Sequence, residues 1–375
     1  MRDLHPTVEQ AVETLPLNAL TRRRLLRGTG LFSTALAASA LIAGCSDDAA
    51  VAQGAIGNFP RTPAWKFVFV CHVTTNPFFT PTQYGAEDAC KLLGVQYQWT
   101  GSVNSVVAEM VDATNTAISG KADGLAVAVV DKAAFRAPVS QALDAGIPVV
   151  SFNADGASDD PGTDRLAYIG QGLYESGYSL GQRALTQLDS GEVAGFIATP
   201  GQLNIQPRID GAQQAFKDSG KPVTFTPIAT NADVTQGLSI IDAYVQGHPN
   251  LAGLLAVDAG STQSVGQTVA KYKLRERGLK VAGGFDLVPE TLASVKSGDL
   301  DYTIDQQPYL QGFLPVLALY LFKLTGGLIF PTQTNTGLLF VTKDNVDPYQ
   351  TTQTRYEGST TAVNLVERSG PIAHG

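Results

Sequence analysis

Lys66-Phe67-Val68-Phe69-Val70-Cys71-His72-Val73 is a near-continuous run of β-branched and aromatic residues, with no alternation of apolar and polar positions. A strand with one solvated face alternates. A strand buried on both faces, as in a parallel sheet covered by helices, does not. The run is followed by Thr74-Thr75-Asn76-Pro77-Phe78-Phe79, and then by helical spacing from Phe79 to Leu93 that stops at Gly94. Glycine is a good helix stop because it takes a left-handed backbone without steric cost. The first cycle of the chain is therefore strand, polar loop, helix.

Outward from this stretch the cycle repeats. Strands are predicted at 95–99, 124–130 and 147–152, with helices at 105–119 and 132–145 between them. A second set begins near residue 192, with strands at 192–198, 223–228, 251–257 and 281–285 and a last short one at 302–304. Helical segments fall near 174–188, 207–218, 235–246, 261–276 and 289–297. Such alternation predicts an α/β fold of two similar, doubly wound parallel-sheet lobes. The length of 375 residues suits about two domains.

In parallel sheets ligands sit beyond the carboxyl ends of the strands. The loops there hold Asn76, Phe78 and Phe79; Asn153; Asn204, Gln206 and Arg208; Asp258; Asp286; and Gln306. Aromatic faces stand beside amides and carboxylates. A hydroxyl both donates and accepts, so Asp, Asn and Gln can bridge neighbouring hydroxyls while a sugar's C–H face stacks on a ring. Each residue also has a plainer role: Asn76-Pro77 can start a helix, the phenylalanines can be core, and Asp258 and Asp286 can cap helices. Trp99 and Tyr309 lie near strand ends but suit core or rim packing.

Composition narrows the function. A net charge of −8 argues against a nucleic-acid surface. With 44% hydrophobic and 16% charged residues the chain is not largely disordered. Three cysteines cannot make a disulfide framework; Cys71 and Cys90 read either as small apolar residues or as a pair. Gly177-Tyr178-Ser179-Leu180-Gly181 matches G-x-S-x-G but sits in a helical run rather than at a strand-to-helix turn. Gly170 and Gly172 lack the third glycine of a dinucleotide fingerprint. The acidic loop with Asp155, Asp159, Asp160 and Asp164 fits no EF-hand spacing, and the four histidines are scattered. No enzyme, metal or cofactor is expected.

The first residues read as an address. Thr21-Arg22-Arg23-Arg24-Leu25-Leu26 precedes an apolar run from Leu31 to Gly44, of signal-peptide length. The arginines resemble a twin-arginine (Tat) export signal. Leu41-Ile42-Ala43-Gly44-Cys45 resembles a lipobox, which makes Cys45 the expected lipidation site. Residues 1–44 carry five arginines against three carboxylates, so the remainder of the chain carries −10. Residues 45–63, without periodicity, are expected to be a flexible tether, and 361–375 a tail.

The residues after the first strand, Asn76-Pro77-Phe78-Phe79, together with Gly284-Phe285-Asp286 and Thr303-Ile304-Asp305-Gln306, resemble the ribose-binding type of periplasmic sugar-binding protein. These are the substrate-binding components of ABC sugar importers, and the resemblance spans about residues 64–345. It implies the periplasmic binding protein type I architecture, two lobes with a hinge crossed three times and the ligand between them. The implied crossings are near 170–172, 305–306 and 335–337. One lobe would then hold 64–170 plus 306–335, and the other 171–305 plus 336–360. It also implies that Gln206 and Ala154 stand where the family has arginine, Asn153 where it has aspartate, Asp258 where it has asparagine, and Ala232 where it has an aromatic. Two arginines and one aromatic thus look missing. The implied function is an exported, lipid-anchored and monomeric receptor that captures a sugar, sugar alcohol or cyclitol and hands it to an ABC permease. The alternative is a sensor of the same fold that signals to a membrane kinase or chemoreceptor.

Overall fold

A computed structural model describes residues 62–155, 163–327 and 331–351. The export signal, Cys45, all but the last two residues of the tether, and the tail lie outside these residues. Two six-stranded sheets organise the chain. In the first, β1 (Lys66–Cys71) is flanked by β2 (Gln96–Gly101) and β3 (Gly124–Val127), followed by β4 (Val149–Phe152), β5 (Ala167–Gly170) and β11 (Gln333–Asn335). The second repeats this order with β7 (Val223–Ala229), β6 (Gly191–Ile197), β8 (Gly253–Ala256), β9 (Val281–Phe285), β10 (Tyr302–Asp305) and β12 (Leu339–Thr342). Pairing is parallel except between β10 and β12, which is antiparallel. This is the two-lobed parallel α/β fold expected from the sequence.

The unbroken apolar run has its reason in β1. Phe67, Phe69, Val70 and Cys71 are completely buried, because helices cover both faces. On the first sheet these are α1 (Thr80–Leu93), α2 (Val107–Ser119), α3 (Lys132–Asp144) and, late in the chain, α9 (Pro308–Thr325). On the second they are α4 (Leu173–Leu185), α5 (Gln206–Asp218), α6 (Val234–Gly247), α7 (Ala259–Tyr272) and α8 (Pro289–Ser297); α10 (Asp347–Thr351) packs on α8. The chain passes between the sheets after β5, after β10 and between β11 and β12.

Helix α9 packs lengthwise on α1. A Cβ placed on Gly85 would lie 2.0 Å from the Tyr309 carbonyl oxygen, and one on Gly312 1.8 Å from that of Thr82. Only glycine at both places lets the two backbones meet. Sequence periodicity did not reveal α9, β11 or β12. The serine of the G-x-S-x-G match lies inside α4, where no nucleophile elbow forms. Cys71 and Cys90 are both buried and free. Among the described residues no helix is long and apolar enough to cross a membrane, and no group of three or more His, Cys, Asp or Glu could hold a metal ion.

Candidate ligand-binding site between the lobes

In each sheet the first strand lies between the second and the third, and the strand-end loops diverge on either side of it. This is the switch point at which α/β sheets bind ligands. The two switch points face each other across a cavity of about 540 Å³ including its open mouth. Nine of the ten sequence-predicted residues line it: Asn76, Phe78, Phe79, Asn153, Asn204, Arg208, Asp258, Asp286 and Gln306.

The first lobe supplies a neutral, aromatic wall. Asn76 accepts from the Phe78 amide at 2.9 Å and so caps the 3-10 turn Pro77–Phe79. That turn delivers both phenyl rings, 4.7 Å apart and nearly perpendicular. Phe79 also packs edge-on against His72 and Phe152 and lies tilted against Trp99. The phenylalanines are thus core and cavity wall together. Trp99 stacks on Phe69, and Tyr309 bonds to Asp88 and stacks on Phe313; neither lines the cavity.

The second lobe supplies the charge. Asp258 accepts from the amides of Ser261 at 2.8 Å and Ala198 at 3.0 Å, capping α7 and tying it to the end of β6. Burial raises its pKa, with Arg208 acting the other way. Asp286, with φ 76°, does not cap α8. Its carboxylate accepts from Gln306 Nε2 at 2.6 Å, and burial pushes its pKa up to about 6 against the pull of Arg208. Arg208 is fully buried. It donates to the Val257 carbonyl at 2.9 Å and to Gln171 Oε1 at 3.1 Å, and its guanidinium lies 4.0 Å above the Phe285 ring.

Side-chain amides connect the two walls across the floor. Asn153 Nδ2 donates to Gln311 Oε1 at 3.0 Å, Gln311 Nε2 to Gln306 Oε1 at 3.1 Å, and Gln306 Nε2 to Asp286. Every donor points toward the carboxylate, so the bonds polarise one another and hold it in place. At the opposite rim the lobes touch directly. Ser105 Oγ donates to Gln202 Oε1 at 2.6 Å, Gln202 Nε2 to the Ser105 carbonyl at 3.0 Å, and the Leu203 amide to the Val130 carbonyl at 2.8 Å.

Gln206 does not line the cavity. Its side chain accepts from the Gly201 amide and donates to Asp210, both at 2.8 Å. Helix α5 starts at Gln206 with Pro207 behind it, and that start turns Arg208 inward and Gln206 outward. Arg208, two residues after the position at which the family resemblance places an arginine, does line the cavity. Ala232 does line the cavity, so no aromatic ring faces the ligand space from this lobe. Sequence reasoning missed His72, Ser105 and Gln311. His72 directly follows β1 and could have been found by extending the strand-end rule one residue inward.

Residues 67–324 match the model of a family described as the periplasmic binding protein domain. The chain belongs to this family. The xylose/arabinose-binding protein XylF of Sulfolobus acidocaldarius is 49% identical over 82% of this chain and 78% of its own. A solute-binding protein of an ABC transporter from Burkholderia graminis, solved in complex with D-arabinose, is 26% identical with a TM-score of 0.71, over 78% of this chain and 99% of its own. A carbohydrate transporter protein from Acidothermus cellulolyticus, solved with myo-inositol, is also 26% identical with a TM-score of 0.68, over 77% and 98%. The family and the Sulfolobus acidocaldarius relative are described as binding proteins and the two solved structures as transporter proteins; the chain is a binding protein, not an enzyme.

Proposed function

We propose that this chain is the extracytoplasmic receptor of an ABC importer for a neutral aldopentose, xylose or arabinose. The observation that carries the reading is the division of the cavity: phenyl faces and amides on one lobe, two carboxylates and one arginine on the other. A neutral sugar fits between them, since its C–H face suits Phe78 or Phe79 and its hydroxyls can donate to Asp258 and Asp286 and accept from Arg208. A sugar acid would meet two carboxylates against one cation. The pentose assignment is supported by the relative from Sulfolobus acidocaldarius.

Binding favours the closed arrangement because only there does one molecule touch both walls. The permease then takes the closed form. The chain acts as a monomer, exported under the arginine-bearing signal and held at the outer membrane face by lipid on Cys45. Calorimetry with D-xylose, L-arabinose, D-ribose, D-glucose and myo-inositol tests the reading. Pentose binding with at least tenfold weaker glucose and inositol binding is expected. Preference for inositol or glucose would overturn it.

A further inference from the structure

Three buried polar atoms of cavity-lining residues have no hydrogen-bond partner among the described residues: His72 Nδ1, Asn204 Oδ1 and Arg208 Nε. Leaving a buried polar group unpaired destabilises the protein that holds it. Three such groups around one cavity mark positions where a bound molecule completes the hydrogen bonding.

His72 is the most informative, because its neighbour fixes its chemistry. Asn204 Nδ2 stands 3.1 Å from His72 Nε2. An amide nitrogen only donates, so Nε2 is the bare, accepting nitrogen. Burial, aided by the Arg208 charge, lowers the His72 pKa to about 4, so the ring is neutral and carries one proton. That proton sits on Nδ1. The unpartnered atom is therefore an N–H donor. His72 belongs to the first lobe and Asn204 to the second, so this tautomer is selected where the lobes meet.

We propose that His72 is a specificity-determining residue, donating from Nδ1–H to one oxygen of the bound sugar, with Asn204 as the positioning residue that selects the donating tautomer on closure. The inference rests on the reading of the ligand as a neutral pentose. Asn204 Oδ1 and Arg208 Nε add one acceptor and one more donor, a set that hydroxyl groups satisfy in both directions. An analogue lacking the oxygen opposite His72 leaves the imidazole N–H unpaired and is rejected for that reason.

The test is calorimetry with D-xylose and L-arabinose, each beside its monodeoxy forms, one for each ring hydroxyl. In the wild type one monodeoxy form should bind about 10–100-fold more weakly than its parent. In His72→Ala the parent weakens by a similar factor and the gap to that form closes to within about threefold. His72→Asn places an amide N–H where Nδ1–H stood and should restore the gap. His72→Gln places its amide where Nε2 stood and should not. A gap unchanged in His72→Ala and His72→Gln overturns the inference and leaves the pentose reading standing. A wild-type protein that takes up no pentose overturns both.

Discussion

The two lobes share one strand order and differ in what they bring to the cavity. From the first come Phe78, Phe79, His72, Asn76 and Asn153, aromatic or neutral throughout; from the second come Arg208, Asp258 and Asp286, with no ring on the wall. The difference separates two kinds of dependence. The phenylalanines belong to a continuous aromatic core and serve the ligand as an extension of that core. The charges are costly to the lobe that buries them and gain their use when the lobes meet around a ligand. One wall is stability put to work, and the other is stability given up.

The sharpest way to break this contrast is to exchange consequences between the walls. Phe79→Ala should cost about 3–5 kcal/mol of unfolding free energy, as for other large buried aromatics, read by denaturant titration of the ligand-free protein. A loss below about 1 kcal/mol would take Phe79 out of the core. Asp286→Asn should do the reverse. Affinity should fall about 100-fold as two charge-assisted hydrogen bonds are lost, while the ligand-free protein becomes more stable at neutral pH.

The sign follows from proton binding. The folded-state pKa of Asp286 is raised from 3.8 to about 6, so the folded form holds the proton more tightly than the unfolded one. The resulting penalty is absent below pH 3.8, grows as pH rises to about 6 and is complete above it. Asp286→Asn should therefore gain up to about 3 kcal/mol at pH 7.5 and nothing near pH 3.5. A gain that is equal at both pH values would assign it to packing instead of charge.

The rim contacts sharpen the comparison at smaller scale, because they join the two lobes directly. Gln202→Ala removes both bonds to Ser105 and should weaken sugar binding about three- to tenfold, mainly through faster dissociation in stopped-flow traces. Small-angle scattering should show that this variant still contracts with saturating sugar. Gln206→Ala should leave affinity within twofold and stability within about 0.5 kcal/mol, since the side chain faces Gly201 and Asp210. A tenfold loss there would restore it to the binding set.

How far the sequence could be read follows the same division. Strands buried on both faces announce themselves as apolar runs, so β1, β3, β4, β8 and β9 were legible, and the polar residues at their ends pointed to the cavity. Helix α9 was not, because its apolar residues leave no polar stripe and Pro308 and Pro315 read as breakers. Gln311 was lost with it, and so was the floor of the site. His72 was hidden in the run that identified its strand. Gln206 was read into the site beside Arg208 because helical phase, not chain order, decides which residue of a first turn faces inward.

The close approach of α1 and α9 has a consequence for how the chain is made. Gly85 and Gly312 meet in one helix pair, yet about 230 residues and most of the second lobe separate them. At ribosomal rates of about 5–20 residues per second, α1 waits on the order of 10–45 s for its partner to be synthesised. Through that interval the first lobe has five of its six strands and lacks the helix that packs beside α1 on one face, and the second lobe, continuous in sequence from β6 to β10, can already condense. The lobe that begins the chain must wait for elements from the far end of the chain, and a chaperone that shields nascent apolar surface would meet this protein at α1.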